Sequence, residues 1–337
     1  MEQLINITDA VFLGHVGEIE LGASAIAGIY YLAVYMLGFG FSIGLQVMIA
    51  RKNGEQDYQE TGKIFFQGLL FLMGLALFLY LTVHIVSPVI FKRSINSPEI
   101  YQAIIRYLDW RSLGLLFSFP FLAIRSFLVG ITYTRALSGA AIVAIGINIP
   151  LNYFLIFMQH LGISGAAIAS SLAEGGSFIT LCIYMWIKTD KIKYGLRTVY
   201  DGQLLIAVLK LSVWSMSHAF ISVAPWFLFF VAIEHLGECE LAAANVVRSI
   251  SMLFFVIVNS FATTAISLVS NLIGANKIPE VMPLSRRIIL LTYVMGIPLI
   301  LLSFVLSGTL LGLFTNDEIV VQKAFYPFCV MLYSFLS

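Results

Sequence analysis

Gly14-His-Val-Gly-Glu-Ile-Glu-Leu-Gly-Ala-Ser24 recurs 220 residues later as Glu234-His-Leu-Gly-Glu-Cys-Glu-Leu-Ala-Ala-Ala244, with six of eleven positions identical. The same offset pairs Gly54 with Gly274, and an offset of 219 pairs Glu99-Ile100 with Glu318-Ile319. Islands of identity that hold register over so long a stretch, with one slip of a single residue, mark a duplicated unit.

The material between the islands says what the unit is built from. The chain is 60% hydrophobic and 11% charged, where soluble domains carry roughly half and a quarter. That excess apolar surface needs lipid rather than water around it. Apolar stretches fall near 21–50, 64–91, 99–130, 138–158, 165–187, 204–234, 241–272, 288–307 and 319–337, with a shorter one, Met1–Leu13, ahead of them. About 20 apolar residues span a bilayer core, so the fold class is all-α integral membrane. Met1–Leu13 rises only ~20 Å as a helix. No basic stretch precedes it, so it does not read as a signal peptide.

Other classes are excluded by what is missing. A net charge of +1 and no basic stripe argue against a nucleic-acid partner. Cys182, Cys239 and Cys329 are scattered and read as buried thiols without disulfide or metal spacing. There is no H-E-x-x-H, no aspartate-rich pair and no P-loop, because Gly62-Lys63 is followed by Ile64. The chain does not read as an enzyme.

Loop charge sets an orientation. With the segments numbered 1 to 10 from the short one, connections after even segments carry Arg51, Lys52, Lys63, Arg135, Lys188, Lys191, Lys193, Arg197, Lys277, Arg286 and Arg287. Those after odd segments carry Lys92 and Arg93, together with Glu18, Glu20, Glu238 and Glu240. The positive-inside rule then places the even loops and the N-terminus in the cytoplasm. Lys188–Arg197, the one long polar connection, reads as a cytoplasmic linker with a solvated, lipid-facing charge patch.

Six segments separate the two copies, so both halves enter the membrane in the same orientation, as parallel repeats. The plan is two six-helix bundles, here with about ten segments: a first lobe at 1–187, a linker at 188–203 and a second lobe at 204–337. Met1 pairs with Ile221, whereas the second copy's helix already begins near Leu204. Ser337 pairs with Ser118, inside segment 4. The pairing predicts that the first helix is incomplete and that two further segments belong after Ser337.

Ile7-Thr-Asp-Ala-Val-Phe-Leu-Gly14 with Gly17, Ala50-Arg-Lys-Asn-Gly54, Asn148-Ile-Pro-Leu-Asn152 and Gly162-Ile-Ser-Gly-Ala-Ala167 follow one another at a recognisable spacing, with Leu236-Gly237 and Leu272-Ile-Gly-Ala275 in the second copy. In this the chain resembles the MATE (multidrug and toxic compound extrusion) family, with a flavour closer to its NorM-like bacterial members. The resemblance implies twelve helices in two bundles and export of small organic, often cationic compounds in exchange for Na⁺ or H⁺. It implies no cofactor, a plasma (inner) membrane location and a monomer.

Ionisable groups inside hydrocarbon cost at least ~2.5 kcal/mol at a helix centre and so point to function. Asp9 lies about 7 Å inside the outer end of segment 1, and the resemblance implies that an aspartate here binds the coupling cation. Asn148 and Asn152, four apart, share one face of segment 5. Ser170 and Glu174, also four apart, share a face of segment 6. All five fall at one depth. The resemblance implies a site asparagine at Asn148 and a site threonine where Ser170 stands. Asn152 departs from the pattern, which commonly has an aspartate, and Glu174 is the candidate to replace that charge. One or two carboxylates with amide and hydroxyl oxygens suit Na⁺, a hard cation; a buried carboxylate suffices for H⁺. The second-half counterpart of Asp9 is Phe229, and Ser222-Val-Ala-Pro-Trp226 carries no acid, so a second cation site is not expected on this helix. Tyr35, Phe39, Trp226, Phe229 and Arg248 are candidates for the substrate path, since aromatic faces attract organic cations. The runner-up function is a lipid-linked saccharide flippase, which expects a basic central cavity; the intramembrane cations available to it are Arg111, Arg125 and Arg248.

Overall fold

The computed structural model describes residues 2–196, 200–234, 236–312 and 318–335. Arg197 of the linker, His235 of the second motif and the ends Met1 and Ser337 lie outside the described residues. The helices are α1 (Glu2–Gly14), α2 (Glu18–Gly54), α3 (Tyr58–Ser94), α4 (Pro98–Arg111), α5 (Leu115–Gly130), α6 (Arg135–Tyr153), α7 (Gly162–Lys188), α8 (Gly202–Glu234), α9 (Glu238–Gly274), α10 (Ile278–Val305), α11 (Ser307–Gly312) and α12 (Glu318–Ser334). No strand occurs among the described residues. Among the described residues eight spans are long and apolar enough to cross a membrane, with α4 and α5 counted as one. The outward faces carry Phe78, Ile85, Ile142 and Val305, all well exposed, as befits a molecule solvated by lipid.

The helices outrun the apolar stretches that announce them. α2, α3 and α9 each have 37 residues, about 55 Å at 1.5 Å per residue, against a core of about 30 Å. Hydropathy marks where a helix leaves lipid; the helix itself ends where capping ends it. Asp57 stops the chain before α3, its carboxylate accepting from the Glu60 N–H at 3.1 Å. The stretch read as one segment at 99–130 is interrupted by a 3₁₀ turn at Ser112–Gly114. Gly114 is needed there, because a Cβ would collide with the Arg111 guanidinium and the Glu174 carboxylate. The stretch at 138–158 starts earlier, at Arg135, and closes in a π-helical turn at Phe154–Met158. The stretch at 288–307 starts at Ile278, and the short α11 that follows has no counterpart among the predicted segments.

The duplication is written into the backbone. Gln56 (φ 61°) and Asn276 (φ 58°), 220 residues apart, turn the chain identically after α2 and α9. The ends of those helices cross about a local two-fold. A Cβ at Gly54 would strike the Asn271 carbonyl, and one at Gly274 would strike the Arg51 carbonyl. Asn53 Nδ2 donates to Asn271 Oδ1 at 2.8 Å across the crossing. Asn271 Nδ2 also donates to the Gly130 carbonyl at 2.9 Å, and Gln59 Nε2 donates to the Ile192 carbonyl at 2.9 Å. The four connections that carry most of the basic residues therefore meet at one end. At the other end Lys323 pairs with Glu240 at 2.5 Å.

The linker is less solvated than its charges suggest. Tyr194 is buried against Tyr58 and Phe127. Lys193 lies over the Tyr58 ring at 4.2 Å, and Lys191 over Trp186 at 3.1 Å.

Candidate functional site

Small residues bring the site together. Ala140 and Ala144 on α6 and Ala166, Ala169 and Ala173 on α7 are wholly buried, which lets the two backbones approach closely. Ile5 of α1 packs on Ala144 and Ala173. Asp9, one turn further along α1, therefore faces the same α6–α7 seam.

Asp9 is 2% exposed and its carboxylate accepts three hydrogen bonds. Asn148 Nδ2 reaches Oδ1 at 3.2 Å, Asn152 Nδ2 reaches the same oxygen at 2.8 Å, and Ser170 Oγ reaches Oδ2 at 2.5 Å. Asn148 Nδ2 also donates to Ser170 Oγ at 3.1 Å. Both amide oxygens, Asn148 Oδ1 and Asn152 Oδ1, are buried without a protein partner. Buried acceptors of this kind call for a cation or a water. Four of the five predicted site residues thus form one hydrogen-bonded cluster.

Glu174 is placed differently. Its carboxylate pairs with Arg111 at 2.5 Å, both side chains fully buried. Tyr31 Oη donates to Glu174 at 3.4 Å, and the Arg111 guanidinium lies over the Tyr31 ring at 4.0 Å. The structure gives Glu174 a counter-charge of its own on α4 and no hydrogen bond to Asp9. Since Arg111 and Glu174 cancel, the trio with Asp9 keeps one net negative charge. Among the described residues no group of three or more His, Cys, Asp or Glu is placed to hold a metal ion.

A pocket of about 20 Å³ borders Asp9, lined also by Asn6, Ser24, Tyr107, Asn245 and Arg248. That is room for about one water-sized guest. Arg248, on α9, lines this pocket and also a much larger cavity of about 640 Å³ between α2, α8 and α9. Phe39 and Trp226 line the large cavity. Phe39 also lines a neighbouring cavity of about 350 Å³, with Tyr35 and Arg125. Phe229 lines neither. It sits three residues past Trp226, rotated about 60° around α8, and packs on Trp226 and Phe230 at 5.8 Å. Tyr30 and Phe41 are likewise taken up in packing, against Phe91 and Phe71.

Sequence reasoning left Tyr31, Arg111 and Arg125 without a role. Tyr31 and the Arg111–Glu174 pairing need the packing of α2, α4 and α7. Arg125 carried a signal, a lone cation deep in an apolar stretch, without a position to give it meaning.

Comparison with known proteins identifies the family. A sequence model of the MatE family matches residues 1–154 and 216–336. Multidrug and toxin extrusion protein 1 of Mus musculus is 24% identical over 325 residues, covering 94% of this chain and 56% of that protein. The probable multidrug resistance protein NorM of Agrobacterium fabrum is also 24% identical, covering 75% of this chain and 56% of that protein. The chain spans little more than half the length of these relatives, and equal identity to both does not single out the bacterial branch. The crystal structure of a eukaryotic MATE transporter, AtDTX14, superposes with a TM-score of 0.82 at 18% identity, over 99% of this chain and 75% of that one. Matched by the family over both halves and folded as its members are, the chain belongs to the MATE family.

Proposed function

We propose that the chain serves secondary active export of drug- and toxin-like organic compounds across the plasma (inner) membrane, driven by Na⁺ or H⁺ entering through Asp9. The observation that carries this reading is the buried Asp9 cluster: one carboxylate whose own charge has no ion pair, three donors and two amide oxygens without partners. An entering cation neutralises that charge. Na⁺ would take oxygens from Asp9, Asn148, Asn152 and Ser170. H⁺ would need Asp9 alone, and protonation would strip one of the three donors of its acceptor, forcing the network to rearrange. Either event changes the packing of α1 on α6 and α7. The cavity between the bundles is the proposed substrate path, and the protein is proposed to work as a monomer with its N-terminus in the cytoplasm.

The test is dye efflux from everted vesicles driven by ΔpH or by ΔNa⁺ in turn. Asp9→Asn keeps the side chain's size and is expected to reduce gradient-driven efflux to background while leaving expression intact. Full cation-driven efflux by Asp9→Asn would end the assignment of Asp9. A second reading, a lipid-linked saccharide flippase, is favoured by Arg125 and Arg248 at the central cavities; efflux under neither gradient supports it.

A further inference from the structure

We infer that the cavity between the bundles binds amphipathic organic anions in preference to cations. This rests on the reading of that cavity as the substrate path. The cavities of about 640 and 350 Å³ adjoin, sharing Met36, Phe39, Phe255 and Asn259 in their walls. Their sizes suit drug-like guests. Trp214, Trp226, Phe39 and Phe255 offer flat apolar walls. The charges decide which guests. Arg248 lines one cavity and Arg125 the other, His218 lines the first, and no Asp or Glu is among the described residues lining either.

Among the described residues neither arginine has an acidic partner. Arg248 Nη2 donates to Asn245 Oδ1 at 2.8 Å, and its Nε is buried without a partner. Arg125 Nη1 is buried without a partner. Each guanidinium instead faces an aromatic ring, Phe39 for Arg125 and Phe230 for Arg248, both at 5.6 Å. Arg111, which is fully buried, shows the contrast, because the fold supplies it with Glu174. Asp9 borders the small pocket that Arg248 also lines, but its oxygens accept from Asn148, Asn152 and Ser170, and it forms no ion pair with Arg248. An arginine stays protonated at any biological pH, and an uncompensated buried charge is costly. An anionic head on an aromatic body removes that cost. An organic cation would gain a cation–π contact but meet two fixed like charges, and charge repulsion at low dielectric outweighs the ring.

The assignment is tested on the purified 337-residue chain in non-ionic detergent. Trp214 and Trp226 report binding by quenching, with pyrenesulfonate and pyrenyl-trimethylammonium as probes of equal ring and opposite charge. The sulfonate is expected to bind at least about tenfold more tightly, the scale of one charge-assisted contact. Arg125→Gln with Arg248→Gln should abolish the preference, and Arg125→Lys with Arg248→Lys should keep it. If the Gln variant does not fold, the wild-type ratio and the Lys variant still decide. Ammonium binding as tight as sulfonate binding overturns the anion assignment and leaves the export reading standing. Quenching by neither probe removes both. Displacement of bound sulfonate by an isoprenyl phosphate would mark a lipid-borne anion; displacement by soluble aromatic carboxylates alone would mark a free one, and either result supports an anion site.

Discussion

At the scale of single residues, the interior of the first bundle separates two carboxylates that look alike in the sequence. Asp9 is held by three neutral hydrogen-bond donors, whereas Glu174 has Arg111 at 2.5 Å. A buried ion pair contributes little net stability, yet breaking it by removing one partner costs about 3–5 kcal/mol. Glu174→Gln should therefore lower the thermal midpoint markedly. Glu174→Gln combined with Arg111→Met should recover most of the loss, because no charge is then left alone. Thermal unfolding in detergent measures both. Equal losses in the single and double variants would show that Glu174 acts through something other than this pair. Both carboxylates could be picked out in the sequence as costly charges. Their different roles could not, because Arg111 is 63 residues from Glu174 in the chain and meets it only through the packing of α4 on α7.

At the scale of elements, the linker behaves as a docked segment. Tyr194 is buried between Tyr58 and Phe127, and burial pushes its hydroxyl up to about 12 from an ordinary 10.0. The sign follows from linkage. The docked state holds the proton more tightly, so docking is fully favoured below pH 10 and weakens as pH rises through about 12. An environment-sensitive fluorophore on Ile192→Cys, an exposed position, should report release of the linker across that window. Tyr194→Phe, which cannot ionise, should remove the transition. A transition that persists in Tyr194→Phe belongs to another group. The run of lysines was legible as a cytoplasmic-type connection, but the tyrosine at its centre was not, since one aromatic among charges has no periodicity to announce what it packs against.

At the scale of the whole molecule, the basic connections gather at one end through the α2–α9 crossing, and the acidic ones lie at the other. With the basic end in the cytoplasm, a membrane-impermeant maleimide should label Lys277→Cys in everted vesicles and not in intact cells. Asn96→Cys, exposed in the connection after α3, should show the reverse. The opposite pattern would invert the orientation and with it the direction assigned to transport. The duplication makes this a single choice, since two parallel repeats tied at Gly54 and Gly274 must face the same way.

Legible along the chain were the lipid-borne helical class, the parallel repeat and the expectation of one shared depth for Asp9, Asn148, Asn152, Ser170 and Glu174. Each of these depends on composition, on identity at a fixed offset or on rise per residue, all of which are local or additive along the chain. Packing added that Asp9, Asn148, Asn152 and Ser170 meet, that Glu174 is tied to Arg111, that Phe229 lines neither cavity, and that Arg248 and Arg125 each line one with no acid among the described lining residues. Those outcomes depend on how helices rotate against one another. That rotation is set by close approach at small residues such as Ala144 and Gly54, whose partners lie far along the chain.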